Sequence, residues 1–276
     1  MFTTTKPPVP APLLRGVPLG GGKTSVMGVL NVTPDSFSDG GLWLDPLMAV
    51  DHGLRMMDEG AIIIDVGGES TRPGARRVSV EEEWERVGPV VAALARRDIT
   101  TSIDTVNSEV ARRAIEEGAD LINDVSGGVH DPQMTRVAAE AGLPMVIQHW
   151  RGFPSQKDLN QDYIEVVGDV LEEVEGQLRL ALENGLRQSQ MIIDPGLGFA
   201  KKPEDSWGVV YSLSSLTARG LPVLVGASRK RFVVSRYPDD VEGGTLEVTK
   251  RCVEAGVWAV RVHHVAGHVR LIDELS

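Results

Sequence analysis

Short apolar runs recur along the chain at near-regular intervals, at residues 25–30, 61–66, 100–103, 120–122, 144–147, 191–193, 222–225 and 257–262. Most are rich in Val, Ile and Leu, the pattern of strands buried on both faces. Segments of helical period lie between most of them, at 46–59, 80–97, 108–117, 132–141, 162–183, 203–219 and 245–255. Several stop at a glycine suited to a helix C-terminus, such as Gly142 and Gly256. Glu81, Glu82 and Glu83 open the second helical segment, where they complement the helix dipole. The order helix, glycine, strand, loop repeats to the end of the chain.

Strands alternating with helices predict βαβ units and a parallel sheet. Eight such units at this length fit a (β/α)8 TIM barrel, an α/β fold, better than an open doubly wound sheet. An open sheet would carry a glycine fingerprint at one strand-to-helix turn, and no Gly-x-Gly-x-x-Gly or Gly-x-x-x-x-Gly-Lys-Ser/Thr loop stands there. Residues 1–22, proline-bearing and without a signal-type apolar core, read as an extended N-terminal arm, and residues 23–276 as the barrel.

Composition narrows the partners. Of the 276 residues 42% are hydrophobic and 24% charged, as in a soluble globular protein, and the formal charge is −11. That balance, with no long basic run, argues against nucleic acid or an anionic membrane as partner, and no apolar run approaches a membrane span. A few local Arg and Lys residues still allow an anionic small substrate. The one cysteine, Cys252, excludes an internal disulfide framework and reads as a buried apolar residue. The compartment expected is the cytoplasm. The six histidines and single cysteine form no zinc pattern.

In such a barrel the chemistry sits at the C-terminal ends of the strands. The first ends at Asn31 and empties into a loop carrying Thr33, Asp35, Ser36, Ser38 and Asp39. The second ends with Asp65 and a Gly67–Gly74 stretch, the third at Asp104, the fourth at Asn123-Asp124, and the fifth at Gln148-His149-Trp150-Arg151. The sixth ends at Asp194, the seventh at Ser228-Arg229-Lys230-Arg231, and the eighth at Arg261-Val262-His263-His264. Asp104, Asn123 and Asp194 suit the N–H-rich edge of a flat heterocycle, with Lys230 as a donor to its acceptors. Arg261, His263, Arg72 and Asn31 come from strands that adjoin on closure and suit an anionic group near the rim. Asp65 and Asp124 fit structural ion pairs as well as ligand contacts. His149 fits a core histidine, and Arg229 an outward salt bridge.

These segments resemble one family, the dihydropteroate synthases. The resemblance rests on Met27-Gly-Val-Leu-Asn31-Val-Thr-Pro-Asp-Ser-Phe-Ser-Asp-Gly-Gly41 and on Asp65-Val-Gly-Gly-Glu-Ser-Thr-Arg-Pro-Gly-Ala75. It continues through Ser102-Ile-Asp104-Thr, Ile122-Asn123-Asp-Val-Ser-Gly-Gly128 and Ile193-Asp194-Pro-Gly-Leu-Gly-Phe199-Ala-Lys201. It ends with Val225-Gly-Ala-Ser-Arg-Lys230-Arg-Phe and Arg261-Val-His263. The resemblance implies condensation of (7,8-dihydropterin-6-yl)methyl diphosphate with 4-aminobenzoate, SN1-like and Mg²⁺-dependent, in a sulfonamide-sensitive cytoplasmic homodimer. It implies Asp104, Asn123, Asp194 and Lys230 on the pterin, and Asn31, Thr71, Arg72, Arg261 and His263 on the diphosphate. Asn31 also serves the metal. Ser36, Phe37, Thr71, Arg72, Pro73, Phe199 and Lys230 line the aminobenzoate pocket, and Asp104, Lys230 and Arg72 are the implied catalytic residues. The Asn31 loop and the Ser70–Gly74 loop are implied to close over the second substrate as a mobile cover.

Three departures stand out. His264 occupies a position where the family usually has Asp. Ser206 replaces a frequent Asn. The segment 233–243 is short, which leaves the helix after strand seven open. Two other readings share the pterin pocket: a methyltetrahydrofolate-dependent methyltransferase, disfavoured by the Asn31 and Ser-Thr-Arg-Pro-Gly loops, and a non-catalytic pterin-binding paralogue, disfavoured by Arg72, Lys230, Arg261 and His263.

Overall fold

The computed structural model describes residues 10–14, 16–33, 46–69, 77–153 and 160–276. Two short strands, β1 (Leu13–Leu14) and β2 (Val17–Pro18), pair antiparallel. Eight parallel strands follow: β3 (Ser25–Asn31), β4 (Ile63–Gly67), β5 (Thr101–Asp104), β6 (Leu121–Asp124), β7 (Met145–Gln148), β8 (Met191–Asp194), β9 (Leu224–Gly226) and β10 (Ala259–Val262). Their order is β8-β7-β6-β5-β4-β3-β10-β9, and a parallel bridge between Ile193 and Val223 closes the ring. The expected barrel is therefore present. Strands β3, β5, β6, β7 and β8 end beyond the apolar run on a polar residue, Asn31, Asp104, Asp124, Gln148 or Asp194, which still takes part in the ladder.

The helices are α1 (Pro46–Asp58), α2 (Val80–Ala95), α3 (Ser108–Glu116), α4 (Gln133–Ala141), α5 (Val166–Glu183), α6 (Pro203–Tyr211), α7 (Leu213–Thr217), α8 (Arg231–Arg236), α9 (Val241–Ala255) and α10 (Val265–Leu275). Ser79 caps α2 by accepting the Glu82 N–H at 3.2 Å. Gly142 and Gly256 end α4 and α9 at φ of +71°, a left-handed conformation that side chains resist.

Four expectations change. Helix α5 begins at Val166 rather than near Asp162, because Glu165 accepts the Val167 and Gly168 N–H groups and caps it. The segment 203–219 is two helices, broken at Ser212, whose backbone is not helical. The helix after strand seven is present: α8 follows β9, and Asp240 then caps α9 by accepting the Gly243 N–H at 2.8 Å. The described part of the expected extended arm contains the β1–β2 ribbon, which leads to the end of the barrel opposite the polar strand ends. There Leu19 O accepts the Trp258 indole N–H at 2.9 Å, and Ala11 and Leu19 pack beneath the inner core.

The core has two layers. An outer one lies between strands and helices and includes Leu30, Ile64, Ile103, Ile122, Ile147 and Ile193. An inner plug fills the lower barrel with Met27, Ile63, Leu121, Val146, Ile192, Leu224, Trp258 and Ala259. Side chains two apart on a strand share a face. The next inward positions above the plug are therefore Val29, Gly226 and the polar Asp65, Asn123, Gln148, Asp194 and Arg261, with Asp104 on β5 beside them. The same period-two rule that builds the plug sets a polar floor on top of it. No helix among the described residues is long and apolar enough to cross a membrane.

Candidate active site

Arg261 organises that floor. Its Nε donates to Asp65 Oδ2 at 2.5 Å and its terminal nitrogen to Asp104 Oδ2 at 2.6 Å. Asn123 donates its side-chain N–H to the same Asp65 oxygen at 2.9 Å. Across the ring, Asp194 Oδ1 accepts the Gly196 N–H at 2.7 Å. Lys230 donates to Leu197 O at 2.6 Å, with its Nζ 4.6 Å from the centre of the Phe199 ring. Asp104, Asn123, Asp194, Lys230 and Arg261 thus meet at one mouth, as the strand ends predicted.

The sequence sorting set Arg261 with the anion-binding group and Asp104 with the heterocycle. In the structure one guanidinium joins the two sets, and Asp65, left open as structural or functional, holds it. Asp124 is a loop builder: its carboxylate accepts the N–H groups of Ser126 and Gly128 at 2.7 and 2.8 Å. At the rim, His263 Nδ1 lies 2.9 Å from Ser228 Oγ. Asn31 ends β3 half-buried, paired with Gly67. His264 lies beside α9, 3.4 Å from Glu242. Ser206 is buried and accepts the Gly198 N–H at 3.2 Å. Cys252 is fully buried and its thiol is pushed up by burial.

Ser36, Phe37, Thr71, Arg72 and Pro73, and the two loops expected to close over the site, lie outside the described residues. The base of the second loop is described. Arg86 donates to Gly68 O at 2.7 Å, and Glu69 pairs with Arg77 at 2.5 Å.

Sequence reasoning singled out Phe199 but missed the rest of an apolar wall beside the floor. Val106, Val125 and Phe199 form a cluster with Trp150 and Phe153. Val106 and Val125 each follow a polar strand end by two or one residues, and that recurrence was the available signal. A polar floor against an apolar wall suits a flat ring with hydrogen-bonding edges. Charge is balanced tightly. Burial pushes the Asp104 carboxyl up to about 7, with Asp65 adding to the rise and Arg261 opposing it. Burial also raises Asp194 and lowers Lys230 to about 8, each opposed by the other's charge. Burial works against the Arg261 cation, but Asp65 and Asp104 hold its pKa above the ordinary value.

Residues 27–263 match the family described as pterin binding enzyme. The chain is 46% identical over 254 residues to the dihydropteroate synthase of Mycobacterium leprae, covering 88% of this chain and 89% of that one. The chain belongs to the dihydropteroate synthase family. Solved structures of dihydropteroate synthases agree with the barrel. The Xanthomonas albilineans enzyme with 4-aminobenzoic acid is 36% identical, with a TM-score of 0.87 over 96% of this chain and 97% of that one. The Yersinia pestis enzyme in a sulfonamide drug complex is 36% identical, with a TM-score of 0.88 over 95% and 97%. Among dihydropteroate synthases, then, this chain keeps the fold and presents the Arg261-centred floor at the mouth where the fold carries chemistry.

Proposed function

We propose that the chain condenses (7,8-dihydropterin-6-yl)methyl diphosphate with 4-aminobenzoate to give 7,8-dihydropteroate and diphosphate. One observation carries the reading: Asp104, Asn123, Asp194, Lys230 and Arg261 converge on one floor beside an apolar wall. The carboxylates and amide receive the N–H edge of the pterin, and Lys230 meets its acceptors. Arg261, His263 and Asn31 serve the diphosphate, with Thr71 and Arg72 joining them as the resemblance implies. In the SN1-like course, the bond from the methylene carbon to the diphosphate oxygen breaks first, and the amine nitrogen then bonds to that carbon. The amine proton leaves to solvent. Asp104 stabilises the developing pterin cation, and Arg261 and His263 stabilise the departing anion. Sulfonamides would occupy the aminobenzoate pocket to which Phe199 and Lys230 belong.

The donor chemistry fits Mg²⁺ as a companion of the diphosphate. Asn31 offers one hard oxygen at the rim, and no cluster of His, Cys, Asp or Glu among the described residues would hold a metal alone. Magnesium commonly binds through one or two protein oxygens, with substrate phosphates and water completing its shell. Bound there, it would supply positive charge to the leaving group. We propose that the protein is a cytoplasmic homodimer, as the family resemblance implies.

The pH profile follows from Asp104. Its raised pKa means the carboxylate takes up a proton as pH falls through about 7. The charged form is the one that accepts from the pterin, so kcat/KM for the dihydropterin diphosphate falls about tenfold per pH unit below that point. Asp104→Asn lowers activity and flattens this limb; an unchanged limb in that variant would remove Asp104 from the assignment. The function itself is tested by diphosphate release with each substrate omitted in turn.

A further inference from the structure

Beside the floor lies a buried cluster that the reaction itself does not use. Lys201 is 7% exposed. Its Nζ lies 2.9 Å from His149 Nδ1, 3.1 Å from Gly196 O and 3.4 Å from Phe199 O. His149, fully buried, places Nε2 3.0 Å from Glu173 Oε2. Arg151 Nε holds the same Glu173 oxygen at 2.9 Å.

The order of partners fixes the protons. A carboxylate can only accept, so His149 Nε2 carries the hydrogen and Nδ1 presents its lone pair to the lysine. Burial, followed by the charge of Lys201, holds the imidazole down to about 3, so the ring is neutral at working pH. Burial brings Lys201 down to about 7, with Asp194 opposing the fall.

The lysine holds a turn. Gly196 O accepts Lys201 and also the Phe199 N–H at 3.0 Å. The N–H of the same Gly196 fixes Asp194, and the next carbonyl, Leu197 O, seats Lys230. Gly196 has φ +65°, and a Cβ there would stand 2.5 Å from His149 O, so the turn is pressed on the end of β7. Ala200 is left-handed at φ 47°, and its carbonyl accepts the Tyr163 hydroxyl at 3.0 Å. The turn from Gly196 to Phe199 is therefore strung between two lysines, and its position sets three side chains of the site.

We propose that Lys201, seated on neutral His149, is a positioning residue that fixes the Gly196–Phe199 turn and with it Asp194, Lys230 and Phe199. The proposal rests on the synthase reading for the identity of the ligand. Its test is calorimetric binding of (7,8-dihydropterin-6-yl)methyl diphosphate, without 4-aminobenzoate, to Lys201→Met, His149→Asn and His149→Gln. Asparagine keeps an acceptor where Nδ1 stood, whereas glutamine reaches toward Glu173 and gives up the seat. Lys201→Met and His149→Gln are expected to weaken binding about tenfold or more, or ~1.4 kcal/mol. His149→Asn stays within about threefold of wild type, or ~0.7 kcal/mol. Equal affinities for the two His149 variants overturn the proposal, as does a Lys201→Met protein that melts earlier but binds as wild type. Where Lys201→Met does not fold, the His149 pair decides. Wild type that binds the dihydropterin but releases no diphosphate with both substrates overturns the synthase reading and leaves the affinity comparison standing.

Discussion

Arg261→Met lowers kcat/KM by about 10³-fold and lowers folding stability by about 3–5 kcal/mol. Both effects come from one guanidinium. It is the cation between Asp65 and Asp104, and its removal leaves two buried carboxylates facing each other without a counter-charge. Losing one partner of a buried pair costs far more than the pair contributes, because the remaining charge is left desolvated. The loss in rate has a separate cause: the departing diphosphate and the pterin lose the group that joins their halves of the site. A double variant separates the two. Asp65→Asn in the Arg261→Met background removes one unpaired charge and restores stability to within about 2 kcal/mol of wild type. Activity does not return. Chemical denaturation and steady-state kinetics on the four proteins of this cycle check both statements. Recovery of activity together with stability would show that Arg261 serves the fold alone.

Asp194→Asn weakens binding of the dihydropterin diphosphate by about 10²- to 10³-fold, or ~3–4 kcal/mol, with little loss of stability. Asp194 Oδ1 is already committed to the Gly196 N–H. An asparagine satisfies that N–H with its oxygen and so turns its NH₂ toward the ligand. A donor then faces the N–H edge of the heterocycle, where the carboxylate offered an acceptor, and both groups are buried without partners. The turn keeps its hydrogen bond, so the fold is preserved. Titration calorimetry with melting curves on the same samples checks this. A variant that binds as tightly as wild type would move the pterin edge away from Asp194.

The barrel was legible because its strands are buried on both faces and punctuated by helix-ending glycines. Asp104, Asn123, Asp194, Lys230 and Arg261 were legible as polar residues ending apolar runs. The joining of Asp65 to Arg261 was not, since the two are 196 positions apart in sequence and meet only when β10 closes against β3. The period-two rule applied upward from Ile63 and Ala259 places both on the inner face, so the signal existed in part. The helix broken at Ser212 and the late start of α5 turn on local caps that periodicity does not register. The pairing of Lys201 with His149 needs the loops after two neighbouring strands, β7 and β8, to meet. Sequence offered only a lysine at the end of the short Leu197–Ala200 stretch, followed by Lys202. His149 read as a core histidine, and it is buried, but its neighbours give it a task that burial alone does not reveal.

The proposed condensation on this floor is tested by product analysis of a reaction containing Mg²⁺, (7,8-dihydropterin-6-yl)methyl diphosphate and 4-aminobenzoate. Dihydropteroate and diphosphate are expected in equal amounts, with formation strongly reduced in Arg261→Met and Asp194→Asn. Tight pterin binding with no dihydropteroate, or methyl transfer from a methyltetrahydrofolate to a corrinoid protein, would contradict it.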